Sequence, residues 1–130
     1  MALFNKVYKD LNISFAKHPV RGNLSVLEDD EAVARALKNL ILTNTFERPY
    51  SPLIGANIIG RLFEPMDTIT QHSIRKDIQT AIDNYEPRVT VNDIIVNFDE
   101  DRNAVDIKVV FRVDNQPNPA VTTVTLERTR

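Results

Sequence analysis

The stretch TQHSIRKDIQTAIDNYEPRV, residues 70–89, decides the fold, because a helical pattern ends within it and a strand pattern follows. Its apolar residues recur at the spacing of one helix face: Ile74, Ile78, Ala81, Ile82 and Tyr85. Thr70 is predicted to cap the start of this helix. Pro87 disfavours helical geometry in the residue before it, so the helix is predicted to end at Tyr85 or Glu86.

After Pro87 apolar and polar residues alternate, which is the period of a strand with one buried face. Three runs follow this period: Ile94 to Phe98, Val105 to Val113 and Val121 to Glu127. The turn-forming segments FDEDRNA (98–104) and DNQPNP (114–119) separate them. The simplest arrangement is an α+β fold in one domain, residues 1–130, with helices packed on one face of a small antiparallel three-stranded sheet.

Two further helices are predicted upstream of the long one. Acidic residues 28–31 precede an apolar helical stripe, and carboxylates stabilise the positive end of a helix, so a helix should run from about Asp30 to Thr43. A short helix from about Ala56 to Phe63 is suggested by four apolar residues between two prolines: Ile58, Ile59, Leu62 and Phe63.

The first thirty residues carry a weaker pattern. A short helix is compatible with the spacing of four apolar residues there: Phe4, Val7, Tyr8 and Leu11. Ile13 and Phe15 in NISF are typical of a strand, and HPVRGNLS (18–25), with its proline and glycine, is predicted to be a loop.

Composition excludes several classes of function. The 130 residues include 16 basic and 18 acidic side chains, spread evenly, so no segment has the basic excess typical of nucleic-acid binding. Without cysteine there is no disulfide, thiolate metal site or cysteine nucleophile, and three glycines are too few for a phosphate-binding loop. His18 and His72 show no metal-ligand spacing, and no run is apolar enough for a membrane helix or a signal peptide. A soluble chain without cofactor or metal is expected.

Paired carboxylates are the one catalytic possibility that the residues leave open, because glycoside hydrolysis needs only two of them across a cleft. A muramidase-type enzyme would use Glu86 as its acid, with Glu47 or Glu64 as the partner. Each has a simpler explanation, since Glu47 and Glu64 can pair with Arg48 and Arg61. Glu86 faces the negative end of the helix dipole and therefore needs a stabilising contact.

The segment YEPRV (85–89), between a helix and a strand, resembles the Glu-Pro-Arg signature of the phage baseplate wedge protein that initiates the contractile tail sheath. Relatives of that family occur in type VI secretion and other contractile injection systems. Two further blocks agree in order and spacing, LTNTFERP (42–49) with Gly55 and LFEP (62–65). One departure is Phe46, where relatives usually carry glycine. The family is sometimes labelled lysozyme-like, although no residue here supports hydrolysis.

The resemblance implies a structural role without catalysis. Glu86, Pro87 and Arg88 would anchor the protein to the wedge proteins around the central hub, with tube or hub proteins as further partners. The strand-rich end would accept the tail sheath subunit at an open sheet edge, and the first sheath ring would assemble on six copies. The residues assigned to that edge are Val121, Thr122, Thr123, Val124, Thr125, Leu126 and Glu127. The protein would be made in the host cytoplasm and reside in the tail baseplate of the virion.

Each assignment has an alternative from the residues alone. Glu86 and Arg88 can pair with each other and simply hold the helix-to-strand corner. The last strand can be covered by other parts of its own chain.

Overall fold

A computed structural model describes residues 7–128, and this part of the chain forms three helices and five strands. In chain order they are β1 (Lys9–Leu11), β2 (Val26–Glu28), α1 (Asp29–Leu42), α2 (Ile58–Arg61), α3 (Thr68–Tyr85), β3 (Val89–Asp99), β4 (Ala104–Val113) and β5 (Ala120–Glu127). Strands β3, β4 and β5 form an antiparallel meander with β4 in the centre, and β1 pairs with β2 in a separate antiparallel sheet. The predicted α+β meander is confirmed, and the two-stranded sheet is an addition to it.

The core lies between the meander and the helices. In β4 every second side chain is buried, from Val105 to Val113, and the residues between them are mostly more exposed. The apolar stripes of α1 and α3 pack against that face, with Leu37 and Ile78 fully buried. Burial of each such side chain contributes roughly 1.5–3 kcal/mol. The strand alternation therefore places the helices on one face of the sheet, as predicted.

Helix α1 agrees with its predicted bounds to within one residue, and α2 is two residues shorter at each end than predicted. Helix α3 ends at Tyr85 as predicted, but it starts at Thr68, and Asp67 rather than Thr70 is its N-cap. The backbone N–H of Thr70 donates to Asp67 Oδ1 at 2.8 Å, and this hydrogen bond lowers the pKa of Asp67. Aspartate accepts such a bond as well as threonine does, so the two candidates differ only in their position along the helix. No helix within residues 7–128 is long and apolar enough to cross a membrane.

The N-terminal predictions are wrong within the described residues. Lys9–Leu11 is a strand instead of a helix, and Ile13 lies in a turn; Phe4 lies outside the described residues. The reason is tertiary, because Tyr8 donates its N–H to Asp29 Oδ1 at 3.1 Å and accepts the Asp29 N–H at 2.7 Å. These bonds hold the chain extended beside β2. The loop predicted for 18–25 is confirmed.

Candidate functional site

The Glu-Pro-Arg signature forms a bidentate ion pair at the end of α3. Glu86 is 8% exposed, and its two carboxylate oxygens accept hydrogen bonds from Arg88 Nε at 2.6 Å and Nη2 at 3.0 Å. Pro87 separates the two residues and turns the chain from helix to strand. The arginine provides the contact that a carboxylate at a helix C-terminus requires, so Glu86 and Arg88 pair with each other in this chain.

Arg88 also holds residues 7–11, which we call the N-terminal arm, at this corner. Its Nη1 lies 3.7 Å from Asp10 Oδ2, and its guanidinium lies 5.2 Å from the centre of the Tyr8 ring. The hydrogen bond with Glu86 is the main cause of a raised Arg88 pKa, and Asp10 adds to it. We call Tyr8, Asp10, Glu86 and Arg88 the corner cluster. The signature thus joins two distant parts of the chain: β1 with the preceding Tyr8, and the corner between α3 and β3.

A groove of about 320 Å³ lies beside the corner cluster. Glu86 and Tyr85 line it together with Arg35 and Arg48, so two of the three sequence blocks in the resemblance meet there. Leu40 is among its apolar lining residues. The groove therefore combines an apolar wall with charged groups from two signature blocks.

The carboxylates predicted to pair for hydrolysis do not share this groove, since neither Glu47 nor Glu64 lines it. Glu64 pairs with Arg61 at 3.1 Å, as expected. The predicted partnership of Glu47 with Arg48 is wrong, because the Glu47 carboxylate accepts the N–H of Asn44 at 2.8 Å and closes its own turn. Both carboxylate oxygens of Glu86 accept hydrogen bonds from Arg88, so neither oxygen is positioned to donate a proton to a glycosidic oxygen.

The loop of the middle signature block requires unusual backbone conformations. Gly55 has φ +143°, and a Cβ there would lie 2.5 Å from the carbonyl oxygen of Thr43, so only glycine fits. Phe46 occupies the left-handed region at φ 67°. Glycine adopts that conformation without steric cost, whereas for phenylalanine it costs about 1–2 kcal/mol. Phe46 is therefore a strained and exposed aromatic residue in this turn.

The strand predicted as the sheath-facing edge lies at an edge of the sheet, and no other strand of residues 7–128 pairs with its outer side. The backbone N–H of Arg128 donates to the Asn103 carbonyl at 2.7 Å, so these two residues form a hydrogen-bonded pair between the ends of β5 and β4. In an antiparallel ladder, hydrogen-bonded pairs recur at every second residue. Thr122, Val124 and Leu126 therefore direct their backbone groups to β4. The residues between them direct theirs outward: Val121, Thr123, Thr125 and Glu127.

The opposite edge is partly occupied by side chains. By the same alternation, Ile94 and Val96 of β3 direct their backbone groups away from β4. The Ile94 N–H donates to Asp93 Oδ1 at 2.8 Å, and Gln71 Nε2 of α3 donates to the Val96 carbonyl. A register shift between Val91 and Asp93 further interrupts the ladder. The two edges of the sheet are therefore unequal, since two outward groups of β3 are bonded and its ladder is interrupted, while β5 is paired without a register shift.

Sequence reasoning found Glu86 and Arg88 but missed Tyr8, Asp10 and Gln71. Tyr8 and Asp10 contact Arg88, about eighty residues later, and no local pattern marks such a pair. Gln71 lies within the first turn of a helix, where a polar residue is common. One signal was available, since the apolar positions of β3 change from Val89 and Val91 to Ile94 and Val96, and such a change of phase is typical of a bulge.

Similarity to solved structures first defines the class of fold. The chain superposes on a Geobacter sulfurreducens protein described as a candidate tail lysozyme, with TM-score 0.73 and 21% identity over 82% of this chain and 97% of that one. It also resembles a chain of the anti-feeding prophage baseplate, with TM-score 0.65 and 19% identity over 92% of this chain and 84% of that one. For a chain of the contracted pyocin R2 baseplate the TM-score is 0.52, with 11% identity over 88% and 98%. At these identities the likeness concerns the fold.

The family follows from sequence. A family model described as baseplate wedge protein gp25 matches residues 27–118, more than half of the chain. The gp25 baseplate wedge protein of Enterobacteria phage T4 is 31% identical over 89 residues, which are 68% of this chain and 67% of the phage protein. The chain belongs to the gp25 family of baseplate wedge proteins, components of contractile-tail baseplates. The resemblance drawn from the Glu-Pro-Arg signature is confirmed.

Proposed function

We propose that this chain anchors in the baseplate wedge and that its β5 edge accepts a strand from the tail sheath subunit, so that the first sheath ring assembles on it. The observation that carries this proposal is the inequality of the two sheet edges. An edge with unpaired N–H and C=O groups accepts a strand through main-chain hydrogen bonds. Thr123 and Thr125 offer such groups, whereas the Ile94 N–H and the Val96 carbonyl of β3 are already bonded. Strand addition is therefore favoured at β5.

Attachment to other wedge proteins is assigned to the region around Glu86, Pro87 and Arg88. Because Glu86 is buried against Arg88, its role there is to fix the arginine and the groove beside it. The surface offered to a partner is then the groove, with Arg48 on its rim. The anti-feeding prophage baseplate was solved with six-fold symmetry, which supports six copies around the hub, with tube or hub proteins as further neighbours.

A cysteine cross-link tests which edge meets the sheath. The chain has no cysteine, so a single introduced thiol is unique. Thr125 and Asn97 are both exposed and lie on one cross-strand row, since each pairs with Asp106, but they belong to opposite edges. In assembled tails we expect Thr125→Cys to cross-link to the sheath subunit through a short bifunctional reagent, and Asn97→Cys to give none. Cross-linking from Asn97→Cys alone would place the sheath at β3 and contradict the proposal.

Hydrolysis is the second candidate, because the Geobacter relative is described as a candidate tail lysozyme. We propose that this chain lacks that activity. Arg88 binds both carboxylate oxygens of Glu86, and neither Glu47 nor Glu64 lines the groove that Glu86 lines. Purified protein is expected to leave peptidoglycan intact between about pH 4 and pH 8, the range in which a carboxylate pair works. Release of soluble muropeptides is the measurement. Turnover that Glu86→Gln abolishes while the protein stays folded would establish an enzyme.

A further inference from the structure

A second groove, of about 430 Å³, runs along β5 on the side of the sheet that the helices cover. Thr122 and Thr123 line it, and Leu27 of β2 contributes to its lining. The remaining lining residues come from one flank of α1: Glu31, Ala34, Arg35 and Lys38. A strand added beside β5 would run along this groove, so the groove decides which strands fit.

The flank of α1 has a defined charge pattern. Glu31, Arg35 and Lys38 follow one another at spacings of four and three residues, so they form a single stripe on the helix. Asn115, just before β5, donates to Asp29 Oδ1 at 2.7 Å, which places the start of α1 at the start of β5. The stripe therefore runs from one acidic residue near the start of β5 to two basic residues farther along.

The two basic residues have no carboxylate partner among residues 7–128. Arg35 is exposed and Lys38 is half-buried, and neither forms an ion pair with another described residue. In contrast, Arg61, Arg88 and Arg102 each engage two carboxylates. Cations beside a groove attract carboxylates and disfavour basic side chains, which provides specificity.

Side chains of an added strand alternate between the two faces of the sheet. Those opposite Thr122 and Val124 would point to the α1 side, because directly opposed residues share a face. The side chains of the added strand that point to the outer face would meet Thr123 and Thr125, which are uncharged. Discrimination by charge therefore falls on the α1 side and on every second residue of the incoming strand.

We infer that the strand accepted at β5 carries aspartate or glutamate where it faces Arg35 and Lys38, and a small or apolar side chain where it faces Ala34 and Leu27. This inference rests on the proposed function, and it adds the chemistry of the sheath segment. Basic side chains that face Arg35 and Lys38 are disfavoured at this edge. The rate of sheath initiation at β5 is consequently higher at low salt, because salt screens such exposed charges.

Zero-length coupling tests the inference in complete baseplate–sheath assemblies. A carbodiimide joins an amine to a carboxylate only when the two groups touch, so we expect Lys38 to be coupled to an aspartate or glutamate of the sheath subunit. Mass spectrometry identifies the linked peptides. Lys38→Arg keeps the charge but removes the reactive amine, so the coupled peptide should vanish while sheath growth persists. Coupling of Lys38 to no sheath carboxylate in assemblies that grow normally would overturn the inference.

Charge reversal gives an independent test. The variant Lys38→Glu is expected to slow sheath initiation about tenfold, since like charges across an interface are strongly unfavourable. It leaves Arg35, which also lines the groove beside the corner cluster, unchanged. Lys76→Glu makes the same charge change on an exposed residue of α3 outside this groove and should have no effect. Unchanged initiation in the α1 variant, while Thr123→Pro blocks initiation, would overturn the charge inference and leave the β5 proposal intact. Unchanged initiation in both variants would overturn both.

Discussion

We expect Thr123→Pro to stop sheath growth while the chain stays folded and the baseplate still forms. Thr123 directs its backbone N–H outward from β5, so proline there removes a free donor without breaking a bond to β4. The free energy of unfolding should fall by about 1 kcal/mol or less, as for other surface substitutions. Initiation should fall at least about tenfold, since a lost interface hydrogen bond and a ring clash together cost 1.4 kcal/mol or more. Electron microscopy of baseplates incubated with sheath subunits measures this loss.

The matched control is Val124→Pro, one residue along. Val124 is buried and directs its N–H to β4, so proline there breaks a ladder bond and should cost about 2 kcal/mol or more of unfolding free energy. The two variants together separate recognition from folding. Normal sheath growth on a folded, incorporated Thr123→Pro variant would show that recognition runs through the β3 edge or through side chains.

The second large effect is expected at the corner cluster. Arg88→Ala leaves the Glu86 carboxylate buried without a counter-ion, and removal of one partner of a buried pair is strongly destabilising. The Glu86 side chain is 10% exposed and that of Arg88 24%, so we expect a loss of about 3 kcal/mol, near the lower end for buried pairs. Urea unfolding measures it. Hydrogen exchange of residues 9–11 should also become faster, because Arg88 no longer holds Asp10 and Tyr8.

The control removes both charges while keeping similar shapes. Glu86→Gln with Arg88→Met leaves no isolated buried charge, and such replacements are far milder than the removal of one partner, so a loss of about 1 kcal/mol is expected. If this double variant folds but fails to join the wedge, the charges of Glu86 and Arg88 are also needed for contact with a partner protein. A single Arg88→Ala variant as stable as the wild type would contradict the structural account of the signature.

From the sequence alone, the signature pair resembles an exposed ion pair worth no more than about 1 kcal/mol. The structure corrects this expectation, because Glu86 is buried and hydrogen-bonded through both oxygens to Arg88. A helix-terminal glutamate looks solvent-exposed when only its neighbours in sequence are considered. Arg88 is in turn contacted by Tyr8 and Asp10, about eighty residues earlier, and sequence periodicity carries no information about such contacts.

The helices and the meander were predictable because their signals are local. The stripe on α3 and the alternation in β4 repeat over many residues, and burial of one face gives each repeat the same physical cause. The turns after β3 and β4 follow from clusters of aspartate, asparagine and proline. Tertiary contacts had little opportunity to override such long and consistent patterns.

The N-terminal arm shows where this reasoning fails. The spacing of Val7, Tyr8 and Leu11 is compatible with a helix, but one helical turn has little stability of its own. Bonds from Asp29 and the guanidinium of Arg88 hold Tyr8 in an extended chain instead. The status of the β5 edge was equally inaccessible, since it depends on which backbone groups face outward and on a glutamine from α3 that occupies the other edge.

The inequality of the two sheet edges gives the assembly a direction. A protein with two open edges could polymerise with its own copies or insert between subunits of a growing array. Here two backbone groups of the β3 edge are already bonded and its ladder is interrupted, so edge-to-edge association is favoured at β5. In the proposed function, such a chain stands at the end of a series of exchanged strands. It would then act as a seed from which the tube lengthens one way, with the baseplate end fixed before the first ring is added.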